Sequence, residues 1–271
     1  MIEMPEAINL SKQLERELKG KKIKNIIANH SPHGLTGYNG DPTKFPELFN
    51  GKIIEGAFEY GRGLCLKFSG NSGIIFSDGV NIRYYTENNK LPKRHQLFIE
   101  FDDSTHLIGT VSLYAGIDGR TDIHESSPFY WKPPVFSDEF NMEYYFTLLN
   151  GLKLSKHTVK SFLATEQRIP ALGNGVLQDI LFNASINPKR KLETLSQDDY
   201  ITIYHSVKNT INQMIQQGGR DVEKDIYGKP GGYKTILSRL TYKSPCSRCG
   251  GEIKRESYMG GNIYYCLSCQ K

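Results

Sequence analysis

Four cysteines near the C-terminus carry the most specific chemistry in the chain. Cys246 and Cys249 are separated by two residues, as are Cys266 and Cys269, and sixteen residues lie between the two pairs. Two short knuckles that each supply two thiolates match the donor set of a tetrahedral Zn2+ ion, and four sulfur ligands leave no open position, so the ion would be structural. The alternatives are two disulfides or a chance spacing. The opening residues Met1-Ile2-Glu3-Met4-Pro5-Glu6 lack the basic-then-apolar pattern of an export signal, which disfavours disulfides and predicts a cytoplasmic protein. The fifth cysteine, Cys65, stands in the run Leu64-Cys65-Leu66 and reads as a small buried hydrophobe. At the other end, Glu3 and Glu6 precede an amphipathic segment, where a helix dipole favours acidic side chains.

Each of these groups needs an element to hold it. Between the cysteine pairs, Glu252–Tyr258 and Ile263–Tyr265 flank Met259-Gly260-Gly261-Asn262, the pattern of a β-hairpin with a tight turn. After Pro5, apolar Ala7, Leu10, Leu14 and Leu18 recur at helical spacing up to Gly20. From Lys22 to about Gly116 the chain turns to short β-rich runs: Ile23–Ala28, Ile53–Tyr60, Leu64–Phe68, Gly73–Ser77, Gln96–Phe101 and Thr105–Tyr114. Their regular spacing predicts a sandwich of antiparallel strands. The proline- and aromatic-rich stretch from Ser126 to Ser137 reads as a linker. Helices are predicted beyond it at about 139–150, 155–164, 174–185 and 196–217. The last opens on the capping pattern Ser196-x-x-Asp199 and carries a core-facing stripe of Tyr200, Ile203, Tyr204, Val207, Ile211 and Met214.

The 271 residues suit two medium domains, and no apolar run approaches the roughly 18 to 20 residues of a membrane span. The net charge of +5 is unevenly spread. Residues 1–150 hold 16 Lys+Arg against 19 Asp+Glu, and residues 151–271 hold 18 against 10. The basic half fits either helices solvated by lysine and arginine or a face that binds a polyanion.

Taken together, the terminal Cys266-Leu-Ser-Cys-Gln270, the segment Phe162-Leu-Ala-Thr-Glu-Gln-Arg-Ile-Pro-Ala-Leu-Gly-Asn174 and the opening Glu3-Met-Pro-Glu6 resemble the formamidopyrimidine-DNA glycosylase/endonuclease VIII family. The run Thr110-Val-Ser-Leu-Tyr-Ala115 is also similar to an endonuclease VIII strand, so the likeness spans the chain. The resemblance implies an α+β protein: an N-terminal β-sandwich with flanking helices (1–125), a linker (126–138), a helix–two-turn–helix DNA-binding domain (139–242) and a four-cysteine zinc finger (243–271). It further implies damaged DNA, duplex or single-stranded, held in a cleft between the domains. The protein would be a monomer, cytoplasmic and nucleoid-associated, with no membrane partner.

Site residues follow position by position. The family nucleophile is an N-terminal proline amine; here Ile2 takes that place, methionine is expected to be retained before it, and the free amine belongs to Met1. Such an amine, with a pKa near 7.7–8.0, keeps a neutral fraction able to form a Schiff base. Glu3 would be the acid/base beside the sugar, and Glu6 would steady the N-terminal segment. Arg62, in Tyr60-Gly-Arg-Gly63, falls at the family's hairpin lysine; it keeps the charge but cannot donate a proton. Asn174 would contact phosphates flanking the lesion, either from a helix N-cap or from the helix start. The arginine of the zinc hairpin falls at Gly261 or Asn262, which weakens or removes that clamp. Asn81, Ile82 and Arg83, in a stretch read as a loop, would serve as wedge and filler for the void left by the extruded base. Gln167 to Asn174 is one residue shorter than the family pattern, so this loop must turn more tightly. Two functions remain open: a glycosylase whose lyase step is altered or absent, and a DNA-structure or lesion-binding protein that has lost its chemistry. A zinc-ribbon adaptor would leave Glu3 and Glu6 unexplained.

Overall fold

Pro5 in the first turn and the flanking acidic pair start helix α1 (Met4–Leu18), whose Leu10, Leu14 and Leu18 stripe is buried. The computed structural model describes residues 2–77, 79–86, 90–112, 114–123 and 133–271. They form two units: Met1–Trp131 with Glu223–Pro230, and Lys132–Val222 with Gly231–Lys271.

The first unit is built on two sheets. One has the order β1 (Ile23–Ala28), β7 (Leu97–Phe101), β8 (His106–Val111), β6 (Val80–Tyr85), all antiparallel. The other runs β2 (Thr36–Gly37), β9 (Ala115–Arg120), β5 (Ser72–Phe76), β4 (Gly63–Phe68), β3 (Ile54–Tyr60), with β2 parallel to β9. The expected sandwich core forms between them. At Gly109 on β8 an added methyl would touch Leu97 and Val80 of its own sheet and Ile117 of the other. Helix α1 packs on β3 and β4, and the short α2 (Phe45–Phe49) packs on β1.

The predicted loop over 78–83 needs correction. Val80–Tyr85 is a strand paired along its length with β8, and its Val-Asn-Ile-Arg-Tyr-Tyr run shows the alternation of a half-buried strand. Asp78 lies outside the described residues.

The second unit begins with α3 (Met142–Thr147), capped by the Asn141 side chain on the Tyr144 N–H. The helix predicted over 155–164 is shorter and distorted: a 3-10 turn over Leu154–Lys156, then a π-turn at Ser161–Thr165. Thr158 and Ser161 exchange side-chain and backbone hydrogen bonds here and compete with the regular ladder. Helices α4 (Asn174–Asn183) and α5 (Gln197–Gln216) stand close to their predicted places, and Ser196 and Asp199 form the expected capping box. Every member of the α5 stripe is buried. Asp179, buried on α4, accepts from the Ile236 and Leu237 N–H groups at 2.9 and 2.8 Å and ties the chain ahead of the knuckles to the helix. Burial pushes this carboxyl up to about 6.

A boundary drawn in the linker does not anticipate Glu223–Pro230, which groups with the first unit. The Ile226 side chain is fully buried there, its carbonyl accepts from the Tyr84 N–H at 2.8 Å on the edge strand β6, and Gln13 of α1 bonds both Ile226 N–H and Asp225. Tyr227 adds bonds to Arg16 and Glu17 on the same helix. Of the predicted linker, residues 126–132 lie outside the described residues.

Candidate functional site

The N-terminal acids are held by their own helix. Glu3 is the N-cap residue of α1; its carboxylate takes the Glu6 N–H, and the Glu6 carboxylate accepts from the Glu3 N–H at 3.3 Å, a reciprocal capping box. The two residues are 4% and 6% exposed, so both carboxylates sit nearly out of water at the positive end of a helix. Ile2 is 4% exposed and anchors the segment as a core residue. Met1 lies outside the described residues, and so does any position of its amine.

Arg62 sits in the two-residue turn joining β3 and β4, with Tyr60 paired to Gly63. Gly61 supplies φ +58°, and Gly63 leaves no room for a side chain, since an added Cβ would lie 1.8 Å from the Phe76 carbonyl oxygen. The tip therefore presents Arg62 as an exposed cation.

Arg62 shares an open pocket of about 350 Å³ with Gly37, Tyr38, Asn39, Ser77, Tyr114, Gly116, Asp118 and Arg120. Period-two alternation along β9 turns Ala115 and Ile117 into the core and puts Gly116, Asp118 and Arg120 on the pocket side. Tyr114 is 74% exposed. Its backbone is pinned by Gly79, where an added Cβ would meet the Tyr114 carbonyl oxygen at 1.9 Å. Sequence reasoning passed over Tyr114, Asp118, Arg120 and Asn39; the Ala-Gly-Ile-Asp-Gly-Arg alternation was the available signal.

The proposed filler residues do not form a loop tip. Ile82 is 1% exposed and belongs to the sandwich core, so it cannot act as a wedge. Arg83 points along the sheet, donating to the Ile82 carbonyl at 2.7 Å; burial lowers its pKa, opposed by Tyr85, Asp225 and Glu223. Asn81 is partly buried and lies 3.5 Å from the Ser112 hydroxyl.

In the second unit, Gly173 is the N-cap of α4 and Asn174 its first helical residue, so the N-cap alternative for Asn174 is corrected by one position. The loop before it turns tightly through two left-handed residues, Gln167 (φ +53°) and Ala171 (φ +56°). The Gln167 side chain bonds Ala164, Ala171 and Leu172 across that loop. Asn174 lies against the C-terminal hairpin: a Cβ on Gly261 would come within 1.8 Å of the Asn174 amide nitrogen.

The hairpin is β10 (Ile253–Tyr258) and β11 (Gly261–Cys266), joined by Met259 and Gly260, both at positive φ. Gln178 of α4 clamps β11, donating to the Asn262 carbonyl and accepting from the Tyr264 N–H, each at 3.1 Å. Lys160, fully buried, donates to the Tyr258 carbonyl at 2.6 Å, and burial lowers its pKa to about 8. Gly261 and Asn262 supply no cation at the tip. The Cys246, Cys249, Cys266 and Cys269 Sγ atoms lie within 4.8 Å of one another, with Cys246–Cys269 at 3.8 Å and Cys249–Cys266 at 3.5 Å. A tetrahedral ion with bonds of about 2.3 Å to sulfur has sulfur–sulfur edges of about 3.8 Å, so these four side chains fit one metal ion. Cys65 is fully buried, and desolvation pushes its thiol up to about 12, which makes it inert.

Comparison with known proteins supports the same assignment. The family model for the formamidopyrimidine-DNA glycosylase N-terminal domain matches residues 1–110. The chain is 25% identical over 282 aligned residues to the formamidopyrimidine-DNA glycosylase of Lactobacillus johnsonii, covering 100% of this chain and 99% of that one. It is 27% identical to the formamidopyrimidine-DNA glycosylase of Wolbachia sp. subsp. Drosophila simulans, covering all of both. Among solved structures, the Lactococcus lactis enzyme in complex with DNA containing N7-benzyl-Fapy-dG matches with a TM-score of 0.82 at 22% identity, over the whole of both chains. The Thermus thermophilus enzyme matches with a TM-score of 0.81 at 17% identity, over 99% of this chain and 98% of that one.

Proposed function

We propose that the chain, similar over residues 1–110 to the formamidopyrimidine-DNA glycosylase N-terminal domain and along its whole length to proteins of that name, is a base-excision repair glycosylase that binds damaged DNA, extrudes a damaged nucleotide and releases its base. The observation that carries this reading is the buried pair at the start of α1. Glu3 is a carboxylate kept nearly dry and fixed in orientation by the capping box, the condition under which a group can protonate an opening ribose or activate water. In this reading Glu6 is the positioning residue that holds Glu3. Arg62 and Asn174 engage phosphates, while Gly261 and Asn262 leave the hairpin without its cationic clamp. The four cysteines hold Zn2+, which keeps the hairpin folded. The protein acts as a cytoplasmic monomer on DNA.

The β-elimination step is weakened. Ile2 stands where the family has its amine nucleophile, and its side chain is packed into the core. In this reading base release runs by hydrolysis, with water activated at Glu3, and leaves an abasic site.

A second reading, a lesion-binding protein without chemistry, draws on the same capping box, because it gives the Glu3 carboxylate a purely structural partner. A Glu3→Gln variant separates the two. The glycosylase reading expects release of damaged bases to fall by about 10²–10⁴-fold with DNA affinity unchanged. Wild-type protein that binds lesions but releases none of a panel of oxidised and ring-opened bases would establish the second reading.

A further inference from the structure

The tip of the C-terminal hairpin carries a thioether that the proposed reaction does not use. Met259 is 43% exposed, whereas Met4 and Met214 are buried and Met142 is half-buried at the start of α3. Its φ of +47° is the left-handed conformation for which a two-residue hairpin turn ordinarily uses asparagine or glycine. The Thr158 hydroxyl donates to Met259 Sδ at 3.8 Å. From this arrangement we infer that Met259 is a reversible oxidation site, which takes one oxygen atom from a hydroperoxide on a single face of its sulfur.

The chemistry follows from the two lone pairs on Sδ. A thioether is a soft, polarizable nucleophile, and one exposed to solvent meets a dissolved peroxide without any opening of the fold. A sulfur lone pair attacks one peroxide oxygen; the O–O bond breaks and an S–O bond forms. The proton on the transferred oxygen passes to the departing hydroxide, which leaves as water. The sulfur is oxidised by two electrons and the peroxide is reduced by two. Attack through one lone pair gives one sulfoxide epimer, and attack through the other gives its opposite. Thr158 covers one of them: it is buried, and its position is fixed by hydrogen bonds exchanged with Ser161. Oxygen therefore arrives on the side away from Thr158, and one epimer predominates.

The product loosens the tip. A thioether sulfur is a weak acceptor. In the sulfoxide it carries partial positive charge and the acceptor character moves to the new oxygen, so the Thr158 hydroxyl loses its partner. The Lys160 bond to the Tyr258 carbonyl, at 2.6 Å, is unaffected and keeps the strand end in place. Reduction by a dithiol returns the oxygen as water, leaves a disulfide in the reductant and restores the Thr158 contact. None of these steps involves DNA, so the modification proceeds whether or not the chain releases bases.

The test is a time course of the zinc-loaded full chain in dilute hydrogen peroxide, followed by peptide mapping in a mass spectrometer. Met259 should gain one oxygen before Met4, Met142 or Met214. Of the two epimer-specific methionine sulfoxide reductases, one should remove that oxygen and the other should leave it in place. Amide hydrogen exchange over residues 258–261 should run about threefold faster after oxidation, the loss of one weak hydrogen bond, and should return to its first rate after the active reductase. Recovery with an enzyme that acts on methionine alone separates this change from oxidation of the cysteines. Thr158→Val uncovers the second face and should give both epimers, whereas Thr158→Ser keeps the hydroxyl and should keep the single epimer. Met259→Leu should lose both the early oxygen uptake and the exchange change. Earlier oxidation of Met4, Met142 or Met214, an equal mixture of epimers in the wild type, or a single epimer in Thr158→Val would overturn the site. The wild-type epimer ratio decides the matter by itself should Thr158→Val fail to fold.

Discussion

The two ends of this chain are held by different physics. At the N-terminus, Ile2 to Glu6 is fixed by burial and by a capping box made of its own residues. Near the C-terminus, a hairpin with few buried side chains is fixed by four cysteines and by the Gln178 and Lys160 clamps. On the proposed reading both ends keep a frame and differ at the group expected to reach DNA: Ile2 stands in the place of a proline amine, and Gly261 or Asn262 in the place of a hairpin arginine.

The largest effect should come from removing the metal ion that the four cysteines are proposed to hold. Chelation of Zn2+, or Cys249→Ser, removes a site whose binding free energy is about 10–16 kcal/mol in small zinc-finger peptides. The expected outcome is loss of hairpin structure by NMR and loss of the gel shift on abasic DNA, with the sandwich signals unchanged. Loss of the sandwich signals as well would show that the ends are not independently held.

Next is the missing nucleophile. Ile2→Pro should yield a borohydride-trapped adduct on an abasic-site oligonucleotide where wild type yields none, at a cost of about 1–3 kcal/mol for the lost core side chain. An equal adduct with wild type would mean that the Met1 amine does the work.

Gly261→Arg tests the other end. The new side chain displaces the Asn174 amide and brings a cation to the tip; about one additional phosphate contact should steepen the salt dependence of DNA binding by roughly one unit in log–log slope. An unchanged slope would show that the tip does not face DNA.

The smallest effect concerns Lys160. Burial lowers its folded-state pKa to about 8, below the unfolded value, so the unfolded chain binds more protons between the two. Stability should therefore rise as pH increases from about 8 toward 10.5, and Lys160→Met should flatten that rise in urea melts of the second unit.

Much of this was legible in the sequence because local signals and tertiary demands agree. The β-rich runs from Ile23 to Phe101, the α5 stripe and its Ser196 cap, and the Met259-Gly260 hairpin all formed where their patterns indicated. The helix over 155–164 failed because Thr158 and Ser161 offer the backbone alternative partners. Strand β6 was missed because analogy to a loop outweighed an alternation plain in Val80–Tyr85. The polar wall of the pocket was out of reach for another reason: Asn39, Arg62, Ser77 and Asp118 lie on four separate segments, and nothing local marks them as neighbours.

The crossing of Glu223–Pro230 into the first unit bears on how the protein can be cut and still fold. A fragment ending at Trp131 would contain every strand of both sheets, yet the Tyr84 N–H on edge strand β6 would lose its partner and the seat of Ile226 would stand empty. An uncovered β edge beside an exposed apolar seat is a template for self-association. The octapeptide 223–230 thus closes the edge of the sandwich from a point in the chain that follows α5, so a cut before it leaves that edge open.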